Sequence, residues 1–170
     1  MHDWTRIVAE HGPAVWRTVC RLLGNAADAA DCYQDTFIGA LRVARDGPIE
    51  HWPALLRRIA TARAVDCLRQ RARRGTRTGL ESAWDRVPDP AAGPVSRAEV
   101  AELAEHARRA LASLPRRQAE VAALRYLEEM SYGEIAACLD LRVGAVSVLL
   151  HKARRRLSRI LDTEITQGQR

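Results

Sequence analysis

The sequence lacks long apolar runs, glycine-rich phosphate motifs and any pattern typical of strands. No run of about 18 apolar residues occurs, so a membrane-spanning helix is not expected. The N-terminus, MHDWTRIVAEHGP, has charges where a signal peptide needs an apolar core. The patterns GxGxxG and GxxxxGKS/T are absent, and no useful length alternates apolar with polar residues. We therefore expect an all-α protein that is soluble, cytoplasmic and not inserted in a membrane.

A recognisable metal site is also missing. The four cysteines are widely spaced, and none forms a CxxC pair or a cluster with histidine. Each falls in a helical stretch, so we interpret them as small core residues of a protein in a reducing compartment. These cysteines are Cys20, Cys32, Cys67 and Cys138. We expect no bound metal and no cofactor.

Lysine is almost absent, although the chain is basic. Lys152 is the only lysine, the formal net charge is +6 and the pI is about 9.8. Nearly all positive charge is therefore carried by arginine, whose planar guanidinium favours paired contacts with phosphate and guanine. This balance indicates nucleic acid or another anionic surface as a partner.

Apolar spacing and capping residues predict two small helical domains, residues 1–74 and 96–170. The predicted helices cover 3–23 with a break at Gly12-Pro13, 26–45, 52–74, 97–113 opened by a capping box of Ser96 and Glu99, 116–129, 132–138 and 143–161. Between the domains, residues 75–95 lose this spacing and contain PDPAAGP, which predicts a flexible linker. The last residues, 162–170, are predicted to be frayed.

Residues 131–161, SYGEIAACLDLRVGAVSVLLHKARRRLSRIL, have the pattern of a helix-turn-helix. Ser131 with Glu134 predicts a capping box, and residues 139–141 fit a tight turn. Arg142 stands where Ser or Thr would be expected to cap the second helix. An apolar stripe on that helix comprises Val143, Val146, Leu150, Ala153, Leu157 and Ile160. The opposite face comprises Ser147, Val148, His151, Lys152 and Arg155.

That opposite face suits the major groove of DNA, because a helix fits there and basic or hydroxyl side chains reach phosphates and base edges. The alternative is a helical hairpin whose basic face is only solvated. The coincidence of capping box, short turn and basic face favours DNA binding.

An acidic edge on the second predicted helix comprises Asp28, Asp31, Gln34 and Asp35. Grouped carboxylates suit a metal or an acid/base pair. Aspartate near a helix N-terminus is also favoured by the helix dipole, and an acidic edge on a basic protein is suited to docking. We prefer the docking interpretation and predict no catalytic residue.

Two other classes of protein stay open from the residues alone. A stand-alone helix-turn-helix regulator would use residues 1–74 to sense a signal or to dimerise on half-sites. An enzyme acting on nucleic acid would use Ser147, Tyr132 or the acidic edge, but no nucleophile is paired with an evident base.

Two longer stretches carry a resemblance to a known family. LPRRQAEVAALRYLEEMSYGEIAACLDLRVGAVSVLLHKARRRL is similar to the domain of extracytoplasmic-function sigma factors that reads the −35 promoter element. LLGNAADAADCYQDTFIGAL with RRIATARAVDCLRQRARR is similar to the domain that binds and opens the −10 element. The resemblance spans roughly residues 5–74 and 97–161. It implies a non-catalytic subunit that binds core RNA polymerase and promoter DNA, with an anti-sigma factor as a further partner.

The resemblance also implies roles for individual residues. Polymerase docking is implied for Asp31, Gln34 and Asp35, in a D-x-x-Q-D/E-x-F pattern. Contacts in the −10 region are implied around the loop 47–52 and the helix after it, at His51, Trp52, Arg58, Thr61, Ala62, Arg69 and Arg73. Contacts at the −35 element are implied for Arg125, Ser131, Arg142, Ser147, Val148, His151, Lys152 and Arg155.

This sequence departs from the family pattern at three places. The family's tryptophan position is Leu55 here, and Trp52 lies one turn earlier. Thr61-Ala62 replaces an Arg-Asn pair. Within the recognition helix, Ser147 stands at a commonly basic position and Val148-Leu149 replaces Ser-Arg.

Overall fold

The computed structural model describes residues 3–75 and 94–168, and it describes side chains within residues 3–75 and 99–160. This part of the chain contains seven helices and no strand, which confirms the all-α prediction. The helices are α1 Trp4–Leu23, α2 Ala26–Asp46, α3 Trp52–Arg74, α4 Pro94–Ser113, α5 Arg116–Tyr126, α6 Tyr132–Leu139 and α7 Val143–Gly168. Most of the predicted linker, residues 76–93, lies outside the described residues. We call residues 3–75 the N-terminal half and residues 94–168 the C-terminal half.

The predicted break in the first helix is wrong. Pro13 lies inside a continuous α1, which starts at an Asp3 cap and ends at Gly24 in the left-handed region with φ 69°. The apolar face continues across the proline, with Ile7 and Val15 both buried. Gly12 serves a close approach instead, since a Cβ there would lie 2.6 Å from the Tyr33 hydroxyl. Gly12 therefore allows the close approach of Tyr33 on α2.

The second and third helices follow their predicted bounds closely. The side chain of Asn25 caps α2 by accepting from the N–H of Asp28, at 2.9 Å. His51 caps α3 through Nδ1, which accepts from the N–H of Ala54 at 3.1 Å. These caps satisfy N–H groups that have no partner within a helix.

Three predicted boundaries in the C-terminal half are wrong. The fourth helix begins at Pro94, so Ser96 lies inside it and cannot be the N-cap of a capping box. The fifth ends at Tyr126, and Glu129, which was predicted to lie within it, adopts the left-handed region with φ 55°. The last helix continues through residues 162–168, where no proline or glycine precedes Gly168 to stop it.

One hydrophobic core joins the two halves. It combines Leu56, Ala60, Ala64 and Val65 of α3 with buried residues from the C-terminal half. Those partners include Leu111, Leu114, Ala119, Ala122 and Ala123. A second cluster lies between α5 and the helix-turn-helix and includes Val121, Leu124, Ile135, Val146 and Leu150. The helix-turn-helix therefore has a core of its own and also packs on the N-terminal half.

The Leu114→Ala substitution should destabilise the protein by about 2–5 kcal/mol, because it removes a fully buried side chain and leaves a cavity in the shared core. Leu103→Ala is the matched control, since Leu103 is 68% exposed and should change the free energy of unfolding by no more than about 0.5 kcal/mol. Urea unfolding followed by circular dichroism measures both. Equal midpoints for the two variants would contradict a continuous core.

Candidate nucleic-acid interface

The helix-turn-helix begins at the predicted capping box. The Ser131 hydroxyl accepts from the N–H of Glu134 at 3.3 Å, and the Glu134 carboxylate accepts from the N–H of Ser131 at 2.7 Å. The latter hydrogen bond is the largest cause that lowers the pKa of Glu134 below its usual value. The turn is made by Asp140, which adopts φ 55° and donates its N–H to the carbonyl of Ala136. A short polar residue tolerates this left-handed conformation.

The recognition helix α7 separates a buried stripe from an exposed face, as predicted. Val146, Leu150 and Ala153 are buried against α5 and α6. The predicted reading residues Ser147, Val148, His151, Lys152 and Arg155 are all exposed. The structure thus leaves this face of α7 open to solvent from residue 147 to residue 155.

Val143 was predicted to belong to the buried stripe, and this is wrong. Its side chain is 52% exposed. At about 100° per residue, Val143 lies roughly 60° around the helix from Val146, further than any other member of the stripe. Arg142 is exposed beside it, and its carbonyl accepts from the N–H groups of Ala145 and Val146 at 2.9 and 3.2 Å. The first turn of α7 is therefore held by backbone hydrogen bonds to the Arg142 carbonyl.

Arginine and tyrosine pairs flank this exposed face. Arg125 donates to the carbonyl of Met130 at 2.9 Å and lies 5.8 Å from the centre of the Tyr132 ring. Arg154 donates to the Tyr126 hydroxyl at 2.6 Å. Sequence reasoning missed Arg154, although it stands seven residues, about two turns, after Ser147 and so shares its face.

The residues predicted to meet the −10 region differ in their exposure to solvent. His51 and Arg73 are exposed, and Arg58 and Ala62 are half-buried. Trp52 is half-buried and packs edge-on against Trp4, with ring centres 5.4 Å apart. This group is therefore only partly accessible.

Two members of the −10 group are engaged within the fold, Thr61 by burial and the half-buried Arg69 by a hydrogen bond. Thr61 is fully buried, and its hydroxyl has no hydrogen-bond partner among the described residues. Arg69 donates to the carbonyl of Leu114 in the C-terminal half. Only some of the arginines at the C-terminal end of α3 are exposed. Arg71, one of the others, pairs with Asp28 and donates to the carbonyl of Leu23 at 3.0 Å. The cause is the packing of other helices on α3, which spacing alone did not reveal.

The residues of the acidic edge of α2 also differ in their surroundings. Asp28 belongs to the ion pair with Arg71, whereas Asp31, Gln34 and Asp35 are exposed. Within the described residues, no group of three or more His, Cys, Asp or Glu side chains is arranged to hold a metal ion. The three exposed residues form a surface suited to a basic partner. Asp28 instead has a structural role, because it pairs with Arg71.

The four cysteines are free thiols, and Cys32 and Cys138 are buried. Burial raises the pKa of the Cys32 thiol to about 12, so it stays protonated near neutral pH. Burial raises the pKa of Cys20, Cys67 and Cys138 in the same direction. They behave as small apolar residues.

Comparison with known proteins finds two matching family models. The Sigma-70 region 2 model matches residues 7–74, and the Sigma-70, region 4 model matches residues 105–157. The ECF RNA polymerase sigma factor SigE of Mycolicibacterium smegmatis is 34% identical over 160 residues, which are 92% of this chain but 61% of SigE. The chain thus spans less than two thirds of that relative.

A second relative matches over most of its own length. The RNA polymerase sigma factor CnrH of Cupriavidus metallidurans is 31% identical over 169 residues, covering 94% of this chain and 86% of CnrH. The solved structure of CnrH in complex with the cytosolic domain of CnrY matches with a TM-score of 0.55 at 28% identity, covering 94% of this chain and 87% of that one. The chain belongs to the sigma-70 family, in its extracytoplasmic-function group of RNA polymerase sigma factors.

Family membership bears on the stand-alone regulator that was left open above. Sigma factors act in promoter-specific transcription initiation, with helix-turn-helix region 4 and region 2 as parts of one chain. A stand-alone regulator with an unrelated sensing domain is excluded, because region 2 occupies the N-terminal half. Of the helices in the described ranges, each is too short or too polar to span a bilayer.

The Glu134→Gln variant should show a weaker loss of stability in acid than the wild type. Because the folded pKa of Glu134 is lowered, its charged form stabilises the fold above the unfolded pKa of about 4.3. This contribution is lost as pH falls through the lowered folded pKa, and glutamine does not titrate. Unfolding free energies measured from about pH 6 to about pH 3 test this. A difference between the two proteins that does not vary with pH would contradict it.

Proposed function

We propose that this chain docks on core RNA polymerase, directs it to promoters and assists their melting, as a non-catalytic cytoplasmic subunit. The exposed face of α7 is the observation that best supports this proposal. Ser147, His151 and Lys152 stand together on a helix whose opposite side is buried. Such a helix enters the major groove with its donors toward base edges and its cations toward phosphates.

Polymerase docking is proposed for the exposed side of α2. Asp31 and Asp35 are one helical turn apart, with Gln34 beside them, and all three are exposed. A row of acceptors of this kind fits a helical partner that presents arginine or lysine. Because α7 is basic and α2 is acidic at these positions, DNA and polymerase would meet different surfaces of one chain.

Contact with the −10 region is proposed for the loop 47–52 and α3. His51 caps α3 and is exposed, so it stands at the free end of the helix. Trp52, next to it, offers a stacking surface supported by Trp4. Stacking on an aromatic ring offsets part of the cost of unstacking a base from DNA.

An anti-sigma factor is a further proposed partner. One matching solved structure is that of CnrH in complex with the cytosolic domain of CnrY. We infer by this likeness that a comparable protein holds the present chain inactive.

Asp35→Arg should weaken binding to core RNA polymerase by tenfold or more. A like charge placed against a basic partner costs several kcal/mol, and about 1.4 kcal/mol is a factor of ten. Size exclusion with purified core polymerase measures co-elution. The control is Glu10→Arg, which reverses a charge at an exposed position on α1. Co-elution of the Asp35→Arg protein at the wild-type level would remove α2 as the docking surface.

Lys152→Ala should weaken promoter binding by the holoenzyme and lower its salt dependence. If Lys152 contacts a phosphate, the slope of log affinity against log salt should fall by about 1. The DNA is a promoter selected by the holoenzyme from a random-sequence pool. Arg109→Ala, which removes a cation at an exposed position on α4, should leave the slope unchanged. Identical slopes for both variants would place Lys152 away from DNA.

A further inference from the structure

A small cavity is lined by residues of α1 and α3 and by the segment between α5 and α6. Its volume is about 230 Å³, and its walls include Arg17, Arg21, Arg57 and Glu128. Pockets for drug-sized molecules run from about 300 to 1,000 Å³, so this cavity suits a smaller ligand. None of its three arginines belongs to the surfaces proposed above for polymerase or promoter DNA.

The charges that line this cavity are mainly positive. Three arginines line it together with a single carboxylate, and His11 adds a further positive charge when it is protonated. Val15 and Leu56, which also line the cavity, are buried apolar residues. A cleft with charges of one sign and walls of low dielectric constant concentrates ions of the opposite sign. The cavity therefore favours an anion.

Two of the guanidinium groups keep unused hydrogen-bond donors. Each guanidinium presents five N–H groups. Within the described residues, Arg21 donates to the carbonyl of Leu127, and Arg57 donates to the sulfur of Met130 at 3.9 Å, which is a weak acceptor. Their nitrogens lie 3.6 and 3.9 Å from the Glu128 oxygens, which is longer than a hydrogen bond. Most of these donors thus remain available to a ligand.

The Glu128 carboxylate holds two of the arginines in place. Its side chain is only 12% exposed, and Oε2 accepts from the hydroxyl of the buried Thr18 at 3.0 Å. Arg21 approaches Oε1 from α1, and Arg57 approaches Oε2 from α3. An arrangement of donors that exists before the ligand arrives lowers the entropic cost of binding. The carboxylate therefore pre-organises the cavity and still leaves positive charge in excess.

We propose that this cavity binds a phosphate group, carried by a free phosphorylated small molecule or by the backbone of a DNA strand. Arginine makes paired hydrogen bonds to phosphate, and it suits such contacts better than lysine. In the bound state, phosphate oxygens accept from Arg17, Arg21 and Arg57. The ligand thereby joins α1 to α3 beside Glu128.

The test is isothermal titration calorimetry of the full-length protein with pyrophosphate at constant ionic strength. Arg17→Gln and Arg57→Gln each remove one cation from the cavity, whereas Arg109→Gln removes the same charge from an exposed position on α4. The three variants have equal net charge, so general attraction of an anion to a basic protein affects them equally. Arg17 is exposed, so Arg17→Gln should fold even if Arg57→Gln does not.

We expect pyrophosphate to bind the wild type and Arg109→Gln with equal affinity. Binding to Arg17→Gln and to Arg57→Gln should be about tenfold weaker, because each loses a charge-assisted hydrogen bond. No binding to the wild type would overturn the site. Equal affinity in all three variants would also overturn it, since it would show only non-specific ion binding.

A labelled single-stranded oligonucleotide distinguishes the two sources of the phosphate group. Fluorescence anisotropy follows its binding while pyrophosphate is added. Displacement from the wild type but not from Arg17→Gln would place a DNA backbone phosphate in the cavity. An oligonucleotide that stays bound while pyrophosphate saturates the cavity, or that does not bind at all, would assign the site to a free phosphorylated molecule. Only this DNA measurement rests on the proposed function, so failure to co-elute with polymerase would leave the result of the pyrophosphate titration unaffected.

Discussion

The packing of five other helices around α3 is the constraint on which the rest of the structure depends. This helix contacts α1, α2, α4, α5 and α6. Ala60 and Ala64 have no exposed surface, and such small side chains allow neighbouring helices to approach closely, while Leu56 and Val65 fill the space between them. The near-continuous apolar surface of this segment is readable in the sequence, and it follows that the helix cannot lie on a surface.

Because of this packing, the three proposed surfaces, on α2, α7 and α3, differ in how exposed they are. The acidic side of α2 and the basic face of α7 lie on helices that need only one buried side, so their polar faces stay open. The proposed −10 face lies on α3 itself, where burial competes with DNA contact. Thr61, one of the residues of that proposed face, is fully buried beneath the helices packed on α3. One helix thus stabilises the folded chain and carries part of the proposed site.

Sequence reasoning succeeded where a local interaction decides the outcome. The Ser131–Glu134 capping box, the turn at Asp140 and the exposed face of α7 all depend on residues within a few positions of one another. Sequence reasoning failed where the outcome depends on a residue that is distant along the chain. Gly12 and Pro13 lie in a continuous helix in which Gly12 faces Tyr33, and Arg69 and Arg71 donate to the carbonyls of Leu114 and Leu23. Arg154 is different, because helical spacing was sufficient to find it.

By itself the sequence determined the class of fold and the helix-turn-helix, because these follow from short-range spacing and side-chain chemistry, and two of its stretches carried the resemblance to the family. Only the tertiary structure decided which polar residues remain available. Glu128 and Glu129 are identical neighbours in the sequence, yet one is enclosed by Thr18, Arg21 and Arg57 and the other is exposed. The difference arises because burial depends on which elements meet across the fold, and those partners lie more than seventy positions away along the chain.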